Sequence, residues 1–511
     1  MLMSGAEYRE SLRASAPRVF INGQRVESVA DEPLLAPGVA AVGVTYDFAR
    51  MPDHAPVMTA RQSTSGRTVN RMLHINETPQ DLLSKLEAVR LVCRTTGCAQ
   101  RYLTHDALNG LYQSTRLTDA NHGTDYHARF LAYLHAVQDR DLTLGVAMTD
   151  AKGDRSKRPG AQANRDAYVH IAERRPGGIV IRGTKAIVTG APYMHEFLVM
   201  PCRTHAPEDT AFAVCCAVPC DAPGVTIISR PAGQPGMAAA KFSGKYGQAV
   251  AMVVFDDVFV PHDRVFLAGE TAEGGVLTTS YATHHRHSCI AARAGFGDLL
   301  IGAGALMVEA NGLDPERHAH IREQLVELIT ITESVYACGV AASVYGTRDP
   351  AGSVMPDAVF ANIGKLLLAT KIYDMHRIAH YVSGGLIVAL PGPEEDHNPE
   401  TRASIAAVMA GRADIPYEQR AEVARLVEDL TVSHEAGWYS VISLHGGGSP
   451  EAMKREIWRH YPVMEKAALV ESLLDRGLLA EGGRASSQPG RCCATGCTVP
   501  EPALASRPAT G

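Results

Sequence analysis

The C-terminal half of this chain carries four apolar-periodic stretches, Glu316–Tyr345, Asp357–Val382, Tyr417–Leu444 and Glu451–Leu478. Each runs well beyond the roughly 11–12 residues of an average globular helix. Helices of that length suit an antiparallel bundle, and they are long enough to be shared across a subunit interface. At the start of this helical region lies Tyr281–Gly297, YATHHRHSCIAARAGFG, with three histidines and a cysteine. Read as helix, it projects His285 and Cys289 from one face, four residues apart. Ala291, Ala292 and Ala294 follow, and small residues let another backbone or a flat cofactor approach. An imidazole and a thiol on one face are candidate metal ligands or acid/base groups. The commoner fate of such a pair is a histidine cap and a buried cysteine.

At 511 residues the chain is too long for one core, so two to four domains are expected. Residues 1–140 read as a helical domain. Thr78–Val92 has an N-cap threonine and a proline in the first turn, and Thr104–Tyr112 and Tyr126–Gln138 follow the same periodicity. From about Asp141 the texture changes to β-branched runs between Gly and Pro: Gly178–Thr189, Glu196–Pro201, Ala211–Val218, Val225–Ser229 and Ala251–Val260. These predict an antiparallel sandwich or barrel over residues 141–275. Residues 276–480 then form the helical bundle, and 481–511 read as an unstructured extension. The fold class is α+β and multidomain.

A net charge of −6 argues against nucleic-acid and acidic-membrane partners. The N-terminal stretch lacks the apolar run of a signal peptide, and no uninterrupted apolar run reaches membrane-span length. A cytoplasmic protein is expected. Eleven cysteines at irregular spacing do not make a disulfide framework and suit a reducing compartment. Cys492, Cys493 and Cys497 fall in the Gly/Ser/Pro-rich extension, without a histidine nearby.

The order of helical domain, β domain and bundle resembles that of the acyl-CoA dehydrogenase-like flavoproteins, and Phe255–Pro261 (FDDVFVP) is similar to a strand-end segment of that superfamily. Met148–Lys157 (MTDAKGDRSK), Gly178–Gly190 (GIVIRGTKAIVTG) and Ser443–Pro450 (SLHGGGSP) resemble one branch, the 4-hydroxyphenylacetate 3-hydroxylase family, which also contains 4-hydroxybutyryl-CoA dehydratase. The resemblance runs from about residue 3 to 478. It is closer to the dehydratase branch through YRESLR, NGLYQSTRLTDANHGTDYH and GDRSKRPGAQ. It implies an N-terminal helical domain, a central antiparallel β-barrel, a C-terminal four-helix bundle, a homotetramer and bound FAD. The cofactor-binding residues it implies are Lys152, Asp154, Arg155, Thr189, His445, Gly446, Gly447, Gly448 and Ser449. Their chemistry agrees: Arg155 offers a planar fork of donors, Thr189 a hydroxyl, and the glycines let backbone N–H groups approach a pyrophosphate. Singly, each is equally a turn or a salt bridge.

The dehydratase branch also holds a [4Fe-4S] cluster through Cys-x3-Cys and His-x6-Cys. Here Cys98 and His285 match, but the other two positions are Tyr102 and Ala292. A cubane needs its iron corners anchored, so the cluster is expected to be absent. The branch's carboxylate ahead of the VVFD strand is Val250, and its tyrosine on the cluster helix is Cys289. The hydroxylases need neither group. They use reduced FAD from a separate flavin reductase, together with O2. Their substrate-binding positions are not clearly matched: one reads Leu103–Ala107 and another falls near Val146.

Arg101, Tyr102, His105 and His285 are therefore expected around the open flavin face, with Tyr102 or His285 as acid/base and Cys98 and Cys289 toward substrate. Tyr102 filling the volume of a lost cluster is the bland alternative. Cys98, His285 and Cys289 holding a mononuclear Zn or Fe is a further arrangement. The function expected is a two-component FAD-dependent monooxygenase acting on a phenolic or small aromatic substrate. The alternatives are a cluster-free acyl-CoA dehydratase or isomerase, and a non-catalytic flavin-binding scaffold.

Overall fold

Thr78 begins the helix Pro79–Thr96 through a reciprocal cap, its hydroxyl accepting from Asp81 N while the Asp81 carboxylate accepts from Thr78 N. The helix ends at Gly97, in a positive-φ conformation that favours glycine. In the computed structural model, which describes residues 2–474, it is followed by the helices Tyr102–His122 and Tyr126–Arg140. These extend the spans read from sequence.

The axis of the fold is a single helix, Thr271–Ala310, about 60 Å long at the usual rise per residue. Every residue from Thr283 to Gly297 on it is buried. Helices Pro79–Thr96, Tyr102–His122, Ala319–Val344, Ala358–Ser383 and Tyr417–Thr431 pack around it. Its apolar window is long enough to cross a membrane by composition, but 67% of that window is buried inside the protein, as in a core helix. Two close approaches depend on glycine. A Cβ on Gly295 would lie 2.7 Å from Arg90 O and Arg94 N, and one on Gly110 would lie 3.0 Å from Tyr281 N.

Two of the long helices expected from sequence are broken. Tyr417–Leu444 divides into Tyr417–Thr431 and His434–His445, where the Ser433 hydroxyl caps the second by accepting from Ala436 N. Glu451–Leu478 divides at Pro462 into Pro450–His460 and Val463–Leu473. Proline lacks the N–H that a continuous helix requires. The helix Val463–Leu473 belongs to a unit separate from Met1–His460. The expected extension 481–511 and its cysteines lie outside the described residues.

The strands Gly178–Thr189 and Val225–Ser229 fall where the sequence put them, and Gly178–Thr189 pairs antiparallel with Val250–Pro261. The expectation of an antiparallel barrel needs correction, because the strands form two sheets whose pairing order is open. The larger runs Gln24–Val26, Val19–Ile21, Val225–Ser229, Val250–Pro261, Gly178–Thr189, Thr149–Asp150, with His170–Arg175 also on Gly178–Thr189. The smaller runs Val265–Ala268, Val214–Pro219, Glu196–Val199, Leu144–Ala147. Val19–Ile21 pairs parallel with Val225–Ser229, and Leu144–Ala147 parallel with Glu196–Val199. Parallel partners must come from distant segments, which short-range turn signals do not reveal. Apolar residues of both sheets, including Phe197 and Val218 from the smaller and Val253 and Phe255 from the larger, share one core.

Candidate active site

The central helix presents His285, Cys289 and Arg293 at successive four-residue steps, which places them on one face. They line a cavity of about 50 Å³. Tyr102 reaches it from the helix after Gly97, Thr189 from the end of its strand, Lys365 from Ala358–Ser383, and Gly446 from the turn after His434–His445. Ala292 lines the same wall.

His285 is fixed on all sides. Its Nδ1 lies 3.1 Å from Asp106 Oδ2, and its Nε2 lies 3.5 Å from Cys289 Sγ. Its ring is held between Tyr281, with centroids 5.4 Å apart, and Tyr102, at 6.1 Å, both nearly parallel. Asp106 also accepts from Ser288 Oγ at 2.6 Å and faces Lys85 Nζ at 3.4 Å, and Lys85 donates to Ser288 Oγ at 2.7 Å. Burial opposes charge on His285, but the Cys289 thiolate and the Asp106 carboxylate outweigh it and raise its pKa to about 9. Burial likewise opposes ionisation of Cys289, while His285, Lys365 and Arg293 draw its pKa down.

Arg293 is buried and donates from Nε to Ser443 Oγ at 2.7 Å, whereas its Nη1 has no hydrogen-bond partner among the described residues. The Gln100 amide nitrogen, in the same wall, has none among the described residues either. The Lys365 ammonium donates to Ser443 O, and burial brings its pKa down to about 8. At neutral pH the cavity thus carries cations on Arg293, Lys365 and His285, partly offset by the Asp106 carboxylate behind His285.

The residues singled out from sequence divide between this cavity and other places. Tyr102, His285, Cys289, Thr189 and Gly446 line it. Cys98 stands behind it, its Sγ 3.3 Å from the Tyr102 hydroxyl. Burial opposes ionisation of that thiol, but Cys93, Arg293 and Tyr102 bring its pKa down to about 6. Gly447 accepts at its carbonyl from Arg286 Nε at 2.9 Å, so the glycine turn is tied to the central helix. His445, Gly448 and Ser449 are exposed beside it.

Arg101 and His105 are corrections. Arg101 turns into the core, where its Nη2 pairs with the Asp141 carboxylate at 2.5 Å and its guanidinium sits 3.8 Å over the Tyr46 ring. His105 points to Asn76 Oδ1 at 3.2 Å, and burial lowers its pKa to about 4. Neither side chain lines the cavity, because the helix beginning at Tyr102 turns them to other faces. Lys152, Asp154 and Arg155 lie in a largely exposed loop, where Asp154 and Lys157 border a groove of about 580 Å³ together with Thr184.

Asp106, Lys85, Arg293 and Lys365 were not singled out from sequence. Arg293 was within reach, since it continues the four-residue spacing of His285 and Cys289. Lys365 interrupts the apolar face of a helix, but Asp106 meets its partner across 179 positions and leaves no local signal.

The four positions at which the family resemblance expects cluster ligands, Cys98, Tyr102, His285 and Ala292, do converge here. They do not fit a cluster. Tyr102 and Ala292 bring no thiolate, and both imidazole nitrogens of His285 face protein groups.

Comparison with known proteins agrees with this architecture. The chain is 34% identical to 4-hydroxybutyryl-CoA dehydratase/vinylacetyl-CoA-Delta-isomerase of Clostridium aminobutyricum, over 93% of its own length and 99% of that protein's. It superposes on an oxygen-tolerant archaeal 4-hydroxybutyryl-CoA dehydratase from N. maritimus with a TM-score of 0.91 at 34% identity, covering 95% of this chain and 98% of the other. The oxygenase component of 4-hydroxyphenylacetate 3-monooxygenase, crystallised with FAD, shares the fold at a TM-score of 0.82 and 22% identity, covering 92% and 98% of the two chains. Residues 4–267 match the 4-hydroxyphenylacetate 3-hydroxylase N-terminal description and residues 275–475 the C-terminal one. The chain belongs to the 4-hydroxyphenylacetate 3-hydroxylase family.

Proposed function

We propose that this protein is the oxygenase of a two-component, FAD-dependent monooxygenase that hydroxylates a phenolic or small aromatic substrate. The observation that carries this reading is the cationic cavity wall of Arg293, Lys365 and His285, next to positions that offer no thiolate pair for a cluster. Such a wall favours a substrate whose oxygen carries negative charge, as a phenol does once deprotonated.

The residues present suit a flavin. Gly447 has φ +76°, and a Cβ there would lie 3.3 Å from both Arg286 Cγ and His285 Cδ2, so the backbone approaches the site closely only as glycine. The Gln100 amide N–H groups, without a partner among the described residues, suit an acceptor-rich ring edge. Thr189 and Gly446–Ser449 would hold FAD, and Asp154 borders a separate groove. When bound, reduced FAD supplies the electrons that activate O2.

The chain's own groups then have definable tasks. Arg293 and Lys365 bind the substrate oxygen, Tyr102 and Tyr281 stack on the His285 ring, and His285 holds a proton at Nε2 for transfer. A separate reductase supplies reduced flavin, and a homotetramer is part of the same reading.

A second reading is a cluster-free dehydratase or isomerase on an acyl thioester. It is favoured by the identity to the Clostridium protein along nearly the whole chain. To separate them, the protein is mixed with chemically reduced FAD, O2 and a panel of phenols, and in parallel with 4-hydroxybutyryl-CoA without O2. Substrate-dependent ring hydroxylation supports the monooxygenase. Conversion of the thioester alone overturns it, and no turnover of either leaves the flavin-binding scaffold as the surviving reading.

A further inference from the structure

Cys289 and Asp106 meet the His285 ring from opposite sides. Cys289 Sγ lies 3.5 Å from His285 Nε2, and the other ring nitrogen lies 3.1 Å from Asp106 Oδ2. A nucleophile, a base within reach of it and a third group orienting the base are the parts of covalent catalysis. The order of contacts makes the roles distinct: the thiol faces the cavity, while the carboxylate is fully buried behind the ring.

We propose that Cys289, His285 and Asp106 form a nucleophilic triad that accepts an acyl group from a thioester. The thiolate of Cys289 attacks the thioester carbonyl, forming a new S–C bond as the bond from that carbon to the leaving sulfur breaks. The proton on His285 Nε2 passes to the leaving thiolate, giving free thiol, neutral imidazole and S-acyl Cys289. No electrons change hands and no co-reactant is consumed. The carbonyl oxygen, which gains negative charge in the step, has a donor waiting. Arg293, one helical turn from Cys289, presents a buried Nη1 with no partner among the described residues, and the residue is part of the cavity wall.

Two features set Cys289 apart from the other described thiols. Cys98 has ionisation-favouring neighbours too, but it stands behind Tyr102 and does not line the cavity. Cys93, Cys215 and Cys216 are buried, and burial pushes their thiols up. The lowered pKa of Cys289 agrees with a thiolate held by an imidazolium. Asp106 acts as a positioning residue, holding Nδ1 so that Nε2 faces sulfur. The triad goes beyond the flavin reading, and its readouts require no flavin.

The test uses the full chain in two measurements. In the first, iodoacetamide labels the native protein at neutral pH and peptide mass spectrometry ranks the cysteines. Cys289 should react at least about tenfold faster than any other described cysteine. That advantage should vanish in His285→Ala and shrink in Asp106→Asn. If Asp106→Asn does not fold, His285→Gln, which retains a polar side chain, serves as the second variant. In the second, butyryl-CoA is added and the intact mass is read: one butyryl group should appear, and it should be missing in Cys289→Ala. Labelling first at Cys98, or at Cys289 with no dependence on His285, overturns the triad. Labelling at Cys289 without any butyryl adduct overturns acyl transfer.

Discussion

Lys85 and Asp106, neither with any exposed side-chain surface, face each other at 3.4 Å, and Ser288 bridges them. The pair joins the Pro79–Thr96 helix to the helix that carries Tyr102, directly behind His285. Removing one partner of a buried pair strands the other charge, typically at about 3–5 kcal/mol. Lys85→Met should destabilise the protein by about that much in urea unfolding. The double variant Lys85→Met, Asp106→Leu should recover little of the loss, because the charged His285 then loses the carboxylate on its Nδ1.

Gly295 should also resist substitution, for a steric reason. A methyl there would meet the Arg90 carbonyl and the Arg94 nitrogen at 2.7 Å, which are backbone atoms that cannot rotate away. Gly295→Ala should cost about 1–3 kcal/mol, the usual range for overpacking, despite the better helix propensity of alanine. A urea midpoint equal to or above that of the wild type would contradict so close a helix approach.

Arg101 separates stability from function. With its guanidinium on Asp141 and Tyr46, away from the cavity, Arg101→Met should lower stability by about 3–5 kcal/mol through the stranded Asp141. The folded fraction should retain wild-type turnover per molecule. A large drop in turnover at full folding would return Arg101 to the site.

The acid limb of stability follows from buried histidines. Burial holds His105, His195 and His376 at pKa values of about 4 in the folded protein. Unfolding frees them to titrate near about 6.5, so the unfolded chain binds more protons between those values. Their contribution is present above about pH 6.5 and lost as pH falls toward 4. The denaturant midpoint should therefore fall steadily across that window. His285 has the opposite sign: raised to about 9, it adds stability that is present below about 6.5 and lost as pH rises through 9. His285→Ala should flatten that alkaline limb and leave the acid one.

Gly447 reports on cofactor binding. At φ +76° with its would-be Cβ against Arg286 and His285, Gly447→Ala strains the turn that closes the cavity. FAD affinity, followed by flavin fluorescence, should weaken about tenfold, equivalent to about 1.4 kcal/mol. Unchanged affinity would remove this turn from the flavin site.

Much of the architecture was written locally. Thr78 and Pro79 announced a helix start, and the runs Gly178–Thr189 and Val225–Ser229 announced strands, because caps, turns and alternation act over a few residues. The same locality explains the misreadings. Periodicity ran across the breaks at Ser433 and Pro462, and the parallel pairings of Val19–Ile21 and Leu144–Ala147 join segments with no shared turn.

At the site, the sequence alone determined which side chains the central helix offers on one face, His285 and Cys289, since helical spacing requires nothing beyond the helix. Only the tertiary structure decided that Asp106 would orient that histidine, that Arg101 and His105 would turn elsewhere, and that Lys365 and Arg293 would charge the cavity. The physical reason is range. Backbone hydrogen bonding and side-chain spacing are settled among neighbours, whereas a desolvated charge is tolerable only beside a partner that packing brings from a distant part of the chain.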